Sequence, residues 1–162
     1  MVKVEVGGEI DVHKIQRLVR SDEILVGYPS GDKHPDSDID NADLAEALHD
    51  GTAAIPARPF LLQGIGSEMV EIRKAIKEYH EIRMTGKEGN LAKIGALAVG
   101  AVQRFVRGAY YRSKIPNAPS TIRRKGSDLP LIDTGFLMQS TTYVTRNLKK
   151  RPDVRAKMEV PK

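Results

Sequence analysis

The chain has 162 residues, enough to bury the core of one domain, and a net charge of +5. It contains no cysteine, which excludes disulfides and thiolate chemistry. The longest apolar run, Ile94–Val102, is far shorter than the roughly 20 residues of a membrane helix, and Met1 is followed by alternating charges and valines, so we expect neither a membrane span nor a signal peptide.

The first elements predicted are a strand, a helix and a strand. Val2–Val6 alternates valine with charged residues, the period-two pattern of a half-buried strand. Asp11 is placed to cap a short helix, and Ile24–Tyr28 reads as the second strand, stopped by Pro29. This spacing predicts a compact α+β beginning.

Residues 29–41 form an acidic loop in which Asp36, Asp38 and Asp40 have the spacing of a calcium loop. Asn41 and Ala47 stand where that loop needs glycine and glutamate, so an acidic loop without a dedicated metal site is favoured over a weak cation site. Asn41 is predicted to cap the next helix. Gly51 is predicted to end it.

Residues 52–62 are predicted to follow an extended path, because Pro56 and Pro59 restrict themselves and the residues before them. An additional strand is therefore allowed here. Phe60 can anchor the segment on the core. Arg58 is either a surface arginine on a rigid crossing segment or an inter-subunit contact.

Two long helices are predicted next, joined by the loop Thr85–Gly89 into an antiparallel hairpin. Ser67 and Asn90 are the predicted caps. The apolar stripes comprise Met69, Ile72, Ile76 and Tyr79 in the first helix, and Leu91, Ile94, Ala98, Val102, Phe105 and Ala109 in the second. Small residues in the second helix (Gly95, Gly100 and Ala101) predict the close approach of another backbone.

The last third contains a basic, proline-framed, turn-rich stretch, residues 119–137. Asp133 or Thr134 is predicted to cap a short helix after it, and Thr141–Thr145 is the predicted last strand. The predicted fold is α+β, a small antiparallel β-sheet packed against a long antiparallel helix pair, in the order β-α-β-α-(β)-α-α-α-β. Residues 1–145 form the predicted domain and residues 146–162 a basic tail.

The tripeptide Asp133-Thr134-Gly135 matches the active-site signature of aspartic proteases, in which two such carboxylates share a proton. A retropepsin-like enzyme with one copy would have to dimerise, and no glycine follows Gly135 to support its loop. The four histidines lack the spacing of paired metal ligands. We therefore expect no enzyme, no catalytic residue, no cofactor and no metal, with the protease as a remote alternative.

Charge is distributed unevenly along the chain. Residues 1–57 carry 5 Lys/Arg and 12 Asp/Glu, a net charge of −7, whereas residues 104–162 carry 14 and 4, a net charge of +10. Such a chain can neutralise itself, stack head to tail with copies of itself, or contact nucleic acid nonspecifically. The interface candidates are Arg58, Phe60, Arg112, Lys114, Arg123, Arg124 and Lys125.

Two segments, Gly51–Leu61 (Gly-Thr-Ala-Ala-Ile-Pro-Ala-Arg-Pro-Phe-Leu) and Ala118–Leu137 (with Pro-Ser-Thr-Ile-Arg-Arg-Lys-Gly and Pro-Leu-Ile-Asp-Thr-Gly-Phe-Leu), together resemble the virion-morphogenesis and tail-completion proteins of tailed bacteriophages and prophages. The similarity covers about residues 41–146. It marks Pro56, Arg58, Pro59, Phe60, Thr121, Arg124, Lys125, Gly126, Asp133, Thr134 and Gly135.

The resemblance implies a structural role in the virion, after assembly in the bacterial cytoplasm, and no catalysis. Copies would form a ring at the neck, a hexamer favoured over a dodecamer, that joins the head connector to the tail tube and its terminator proteins. The alternative is a basic virion module that contacts DNA nonspecifically. We expect Arg123, Arg124 and Lys125 to meet an acidic surface of a neighbouring subunit.

Overall fold

The structure, a computed structural model, describes residues 22–31, 33–35 and 38–147. Over these residues the fold is α+β, as predicted, with two strands at the ends and seven helices between them. The strands are β1 (Asp22–Gly27) and β2 (Thr142–Asn147). The helices are α1 (Asn41–Asp50), α2 (Phe60–Ser67), α3 (Met69–Met84), α4 (Leu91–Arg107), α5 (Tyr110–Lys114), α6 (Pro119–Lys125) and α7 (Phe136–Gln139).

The two strands pair antiparallel, with Asp22 opposite Asn147 and Gly27 opposite Thr142. Ile24 and Val26 face α4, since both pack against the apolar cluster that includes Ile94 of that helix. Alternate residues of a strand lie on opposite faces, and Leu25 is exposed accordingly. The sheet thus lies on α4 through one of its faces.

Helices α3 and α4 form the predicted antiparallel hairpin. Arg104 Nε donates to Glu68 Oε1 at 2.6 Å near one end, and Lys93 Nζ donates to Glu78 Oε2 at 2.7 Å near the other. Between these pairs lies a core of Ile72, Ala75, Tyr79, Ile94 and Ala98. The cap at Asn90 is confirmed, because its side chain accepts a hydrogen bond from Lys93 N at 3.1 Å.

A second core lies against the C-terminal half of α4. It joins Val102 and Val106 of α4 to residues of four other helices, namely Ala45, Phe60, Tyr111, Leu137 and Met138. Helix α4 therefore contributes to both cores and is the central element of the described chain. Its own stripe is confirmed at Ile94, Ala98 and Val102, whereas Ala109 lies beyond the helix and is exposed.

The close backbone approach that was predicted for α4 occurs at a glycine of α2, not at a glycine of α4. A Cβ on Gly64 of α2 would stand 2.7 Å from Val102 Cα, so α2 can lie this near to α4 only with glycine there. Gly95 of α4, predicted to admit another backbone, instead lies beneath the Tyr143 ring of β2. Ala101 is fully buried.

The predicted extra strand in residues 52–62 is wrong, because Phe60 begins a helix. Pro59 is its N-cap residue, and a proline there leaves no helical hydrogen bond unmade. Ser67 does not cap the next helix, since its hydroxyl donates to Gly64 O at 2.7 Å within the preceding turn. The long helix starts instead after Glu68.

The stretch predicted as turns also contains a helix, α6, and a further short helix, α5, precedes it. Pro119 at the first position of α6 and Gly126 after its end, with φ +68°, are the typical start and stop of a helix. The observed order from Asp22 is therefore one strand, seven helices and one strand in the described chain. The short α7 and the last strand agree with prediction.

Smaller boundaries also differ. Asp40, rather than Asn41, caps α1, because its carboxylate accepts from Ala42 N at 2.9 Å. Gly51 does end α1 with a positive φ of +81°. In α3, Ala75 is buried, whereas its neighbour Ile76, which was predicted to belong to the apolar stripe, is partly exposed.

Some predictions concern residues outside the described ranges: the strand Val2–Val6, the helix after Asp11, Asp36, and most of the tail. Arg146 and Asn147, which were predicted to belong to the tail, lie in β2. No helix in the described ranges is both long and apolar enough to cross a bilayer.

Candidate functional site

A cleft of about 810 Å³ lies between α1, the segment that follows it, α6 and the turn before α7. It brings together the two segments that carry the family resemblance. Eight of the eleven residues marked by that resemblance line it: Pro56, Arg58, Thr121, Arg124, Lys125, Asp133, Thr134 and Gly135. The volume is typical of ligand sites, which range over ~300–1,000 Å³.

Arg58 links the first segment to α1 and to the residues just before the second segment. Its backbone N donates to Leu48 O at 3.0 Å, and its Nε and Nη2 donate to Ile115 O and Pro116 O, both at 3.2 Å. The residue is only 5% exposed, and loss of water lowers the pKa of its guanidinium. The surface position predicted for Arg58 is therefore wrong.

Phe60 is likewise an interior residue, 1% exposed. Its ring packs edge-on against Tyr28 and His49, with centroids 6.2 and 5.6 Å away. Arg58 and Phe60 were both candidates for an inter-subunit contact. Both are interior residues, and of the two only Arg58 lines the cleft.

Lys125 lies at the C-terminal end of α6, partly buried in the cleft. Its Nζ donates to Leu129 O at 2.9 Å. Loss of water lowers the pKa of Lys125, as do the charges of Arg58 and Arg124, while Asp133 acts in the opposite direction. Three cationic side chains, those of Arg58, Arg124 and Lys125, thus lie near one carboxylate, that of Asp133, in this part of the cleft.

Asp133 and Thr134 are exposed at the cleft rim. The N-cap residue of α7 is Gly135, so the predicted cap at Asp133 or Thr134 is wrong, although Thr134 Oγ1 accepts a hydrogen bond from Phe136 N at 3.4 Å. Asp133 is the one Asp or Glu among the described residues that line the cleft. Nearby, Leu131 has φ +64°, a conformation that strains a side-chain-bearing residue.

Helices α1 and α6, which both line the cleft, carry opposite charges on their outer faces. Leu44 and Leu48 of α1 line the cleft. Residues of a helix are rotated by about 100° each, so Asp43, Glu46 and Asp50, all exposed, lie on the opposite side of α1. This acidic face was missed from the sequence, although the spacings of three and four were visible there.

Helix α6 likewise has a side that lines the cleft and a charged outer side, but its charge is positive. Thr121, Arg124 and Lys125 line the cleft, and the same rotation places exposed Arg123 on the outer side. Among the remaining candidates, Lys114 is exposed, and Arg112 Nε pairs with Asp128 Oδ2 at 3.3 Å. The structure therefore divides the predicted basic cluster into a cleft side and an outer side.

The acidic loop also contributes to the cleft, through His34 and Ile39. The His34 and Phe136 rings meet edge-on with centroids 5.6 Å apart. Over the described ranges, no group of three or more His, Asp or Glu side chains is placed to hold a metal ion.

No protein-family model matches this chain, and no curated protein or solved structure does so. The resemblance to phage tail-completion proteins therefore stays a prediction from the two sequence segments.

Proposed function

We propose that this protein is a structural component of a tailed-phage virion, a tail-completion or neck protein whose copies form a ring between the head connector and the tail tube. The two segments that suggested the family lie far apart in the sequence, and residues of both line one cleft. Arg58 of the first segment also donates to Ile115 O and Pro116 O, just before the second segment begins. This joining around one cleft is the observation that best supports the proposal, because it makes the two motifs one structural unit.

The ring contact we propose is head to tail. The exposed acidic face of α1, with Asp43 and Glu46, meets the outer side of α6, with Arg123, in the next copy. Different surfaces of the same chain then pair, which is the kind of interface that closes into a ring. The opposite signs favour contact between these two surfaces over contact between two surfaces of like charge.

Charge reversal tests the contact. The wild type should be a multimer, with a hexamer favoured, by native mass spectrometry and sedimentation. Arg123→Glu should weaken assembly by roughly tenfold, since exposed pairs contribute about 1 kcal/mol each and reversal adds repulsion. A copy with Asp43→Lys and Glu46→Lys should restore assembly when mixed with the Arg123→Glu copy.

Lys87→Glu is the matched control, because Lys87 is an exposed lysine in the loop between α3 and α4. It should leave assembly unchanged. A wild-type protein that stays monomeric at high concentration would reject the ring, and assembly that is indifferent to Arg123→Glu would reject this contact.

One observation supports a second function, nonspecific DNA contact. Lys114 and Arg123 are exposed and have no acidic partner within ion-pair distance among the described residues. Phosphate binding requires only such cations and weakens steeply with salt. The protein should then slow the electrophoretic migration of duplexes of unrelated sequence equally at low salt. The double variant Lys114→Ala and Arg123→Ala should bind with an affinity that depends less on salt.

A further inference from the structure

The cleft contains charges that the proposed ring contact does not use. Arg58, Arg124 and Lys125 line it, and Asp133 is the single carboxylate among the described lining residues. We propose that the cleft binds an extended peptide segment of a partner protein, one that carries a carboxylate flanked by aliphatic side chains. The inference rests on the cleft alone and holds whether or not the protein forms a ring.

Arg58 is the first argument for an anionic ligand. It is almost fully buried and forms no ion pair with the described residues; its known partners are two backbone carbonyls. Nη1 of its guanidinium has no hydrogen-bond partner in the described part of the chain. Arginine binds carboxylates by donating two parallel N–H groups. The Arg58 side chain can therefore bind a carboxylate while it keeps its hydrogen bonds to Ile115 O and Pro116 O.

The neighbouring cations are the second argument. Arg58 and Arg124 lie close enough to Lys125 to oppose its charge, and Lys125 itself is bound through a carbonyl, Leu129 O. Like charges held together in a partly dry site repel each other. An arriving carboxylate relieves that repulsion, which favours binding at this end of the cleft.

The remaining lining favours a peptide over a nucleic acid. Leu44, Leu48, Ile55 and Leu137 supply aliphatic surface beside the cations, and the two aromatic rings of the lining, those of His34 and Phe136, pack edge-on against each other. Single-stranded nucleic acids are usually held by aromatic rings that stack on the bases. Alternating aliphatic and acidic side chains of an extended peptide match a wall of this mixed character.

The probe for the test is a fluorescein-labelled hexapeptide, Ala-Leu-Glu-Leu-Glu-Ala, titrated with the full-length protein and followed by fluorescence anisotropy. The Glu peptide should bind at least about tenfold more tightly than the same peptide with Gln in place of Glu, because hydrogen bonds between charged groups are the strong ones. Arg124→Gln should cause a loss of similar size.

Arg123→Gln is the matched control, since Arg123 lies on the outer side of α6, and it should bind like the wild type. Both arginines are exposed, so both variants should fold, and circular dichroism will verify this. A ring that depends on Arg123 and a cleft that depends on Arg124 are thus separable by measurement.

Four outcomes would overturn the inference. The Glu peptide fails to bind at about 1 mM protein, it binds no better than the Gln peptide, or Arg123→Gln weakens it as much as Arg124→Gln does. The fourth is competition by a ligand of another class. Free glutarate that binds as tightly as the peptide would assign the site to a small carboxylate, whereas displacement by a single-stranded oligonucleotide that also depends on Arg124 would assign it to nucleic acid.

Discussion

Arg83 of the helix hairpin and Arg58 of the cleft are both largely inside the chain, but they have different partners. Arg83 Nη1 donates to the carboxylate of Asp22 at 2.7 Å and to the Tyr79 hydroxyl at 3.0 Å. Arg58 donates to two backbone carbonyls. The hairpin and sheet thus neutralise their internal charge, whereas the cleft keeps a positive charge that a partner can neutralise.

The two regions also differ in how they are built. The hairpin packs two long helices along an apolar seam, with ion pairs near both ends. The cleft is assembled from short helices and loops that are joined by single side chains, Arg58 above all. The hairpin is therefore the scaffold and the cleft the region in which function is proposed, and the following predictions test that division.

The largest effect is expected at Phe60, the aromatic side chain beneath the cleft. Phe60→Ala should lower the free energy of unfolding by about 3–5 kcal/mol, because it leaves a cavity in a closely packed core. Urea denaturation will measure it. The control is Leu62→Ala on the same helix, where the side chain is 71% exposed and the change should stay within about 0.5 kcal/mol.

If Phe60 were instead an interface residue, as the sequence suggested, Phe60→Ala would alter assembly and leave the stability of the monomer unchanged. That result would contradict the interior position of Phe60.

The contact between α2 and α4 should not tolerate a methyl group. Gly64→Ala places a Cβ against the backbone of Val102 and should destabilise the protein by about 1–3 kcal/mol. Gly66→Ala is the matched control in the same helix, since no atom lies within 4 Å of its added Cβ. It should stabilise the protein by up to about 1 kcal/mol. Equal effects at the two glycines would refute the close approach.

Arg58→Met should cost about 1–3 kcal/mol, because the carbonyls of Ile115 and Pro116 lose their donor. Arg124→Met, which changes an exposed cation in the same cleft, should alter stability by less than about 0.5 kcal/mol. Thermal or urea unfolding of both variants will measure the two changes in stability. A neutral Arg58→Met would mean that the two motif segments are held together by other contacts.

The smallest effect concerns alkaline pH. Burial raises the pKa of the Tyr111 hydroxyl, which donates to Gln63 Oε1 at 2.6 Å, to about 12 from the usual 10.0. The folded state then holds this proton more tightly than the unfolded state, so stability should fall as the pH rises from 10 toward 12. Each pKa unit corresponds to about 1.4 kcal/mol.

Tyr111→Phe should lose less stability than the wild type between pH 9 and pH 11, measured by urea unfolding at each pH. Tyr110→Phe is the control, because that side chain is partly exposed. An identical decline in the wild type and Tyr111→Phe would show that ionisation of Tyr111 does not contribute.

Much of the scaffold follows from local patterns. The apolar spacing of Ile72, Tyr79, Ile94 and Ala98 defines the facing sides of two long helices, and Asn90 has the side chain that caps the second one. The apolar run Ile24–Tyr28, stopped by Pro29, located the first described strand, and the β-branched residues of Thr141–Thr145 located the second. These signals are readable because each depends on neighbours within one or two turns of the chain.

The sequence analysis missed helices α2, α5 and α6 because local signals there were misleading. They are short, and Pro56, Pro59, Pro116 and Pro119 nearby suggested extended chain. The pairing of Pro119 with Gly126 was a sequence signal for α6 that could have been used. In α2, two glycines lowered the helical expectation, and tertiary packing of Gly64 on Val102 outweighs that local cost.

By itself, the sequence determined the α+β class, the hairpin, the uneven charge and the two motif segments, because composition and short-range periodicity carry that information. Only the tertiary structure decided that Arg58 and Phe60 are interior, that the two segments share a cleft, and that Arg123 and Arg124 point to different sides of α6. The physical reason is that burial and the neighbours of a charge depend on contacts between residues as far apart as Arg58 and Pro116, which no local pattern encodes.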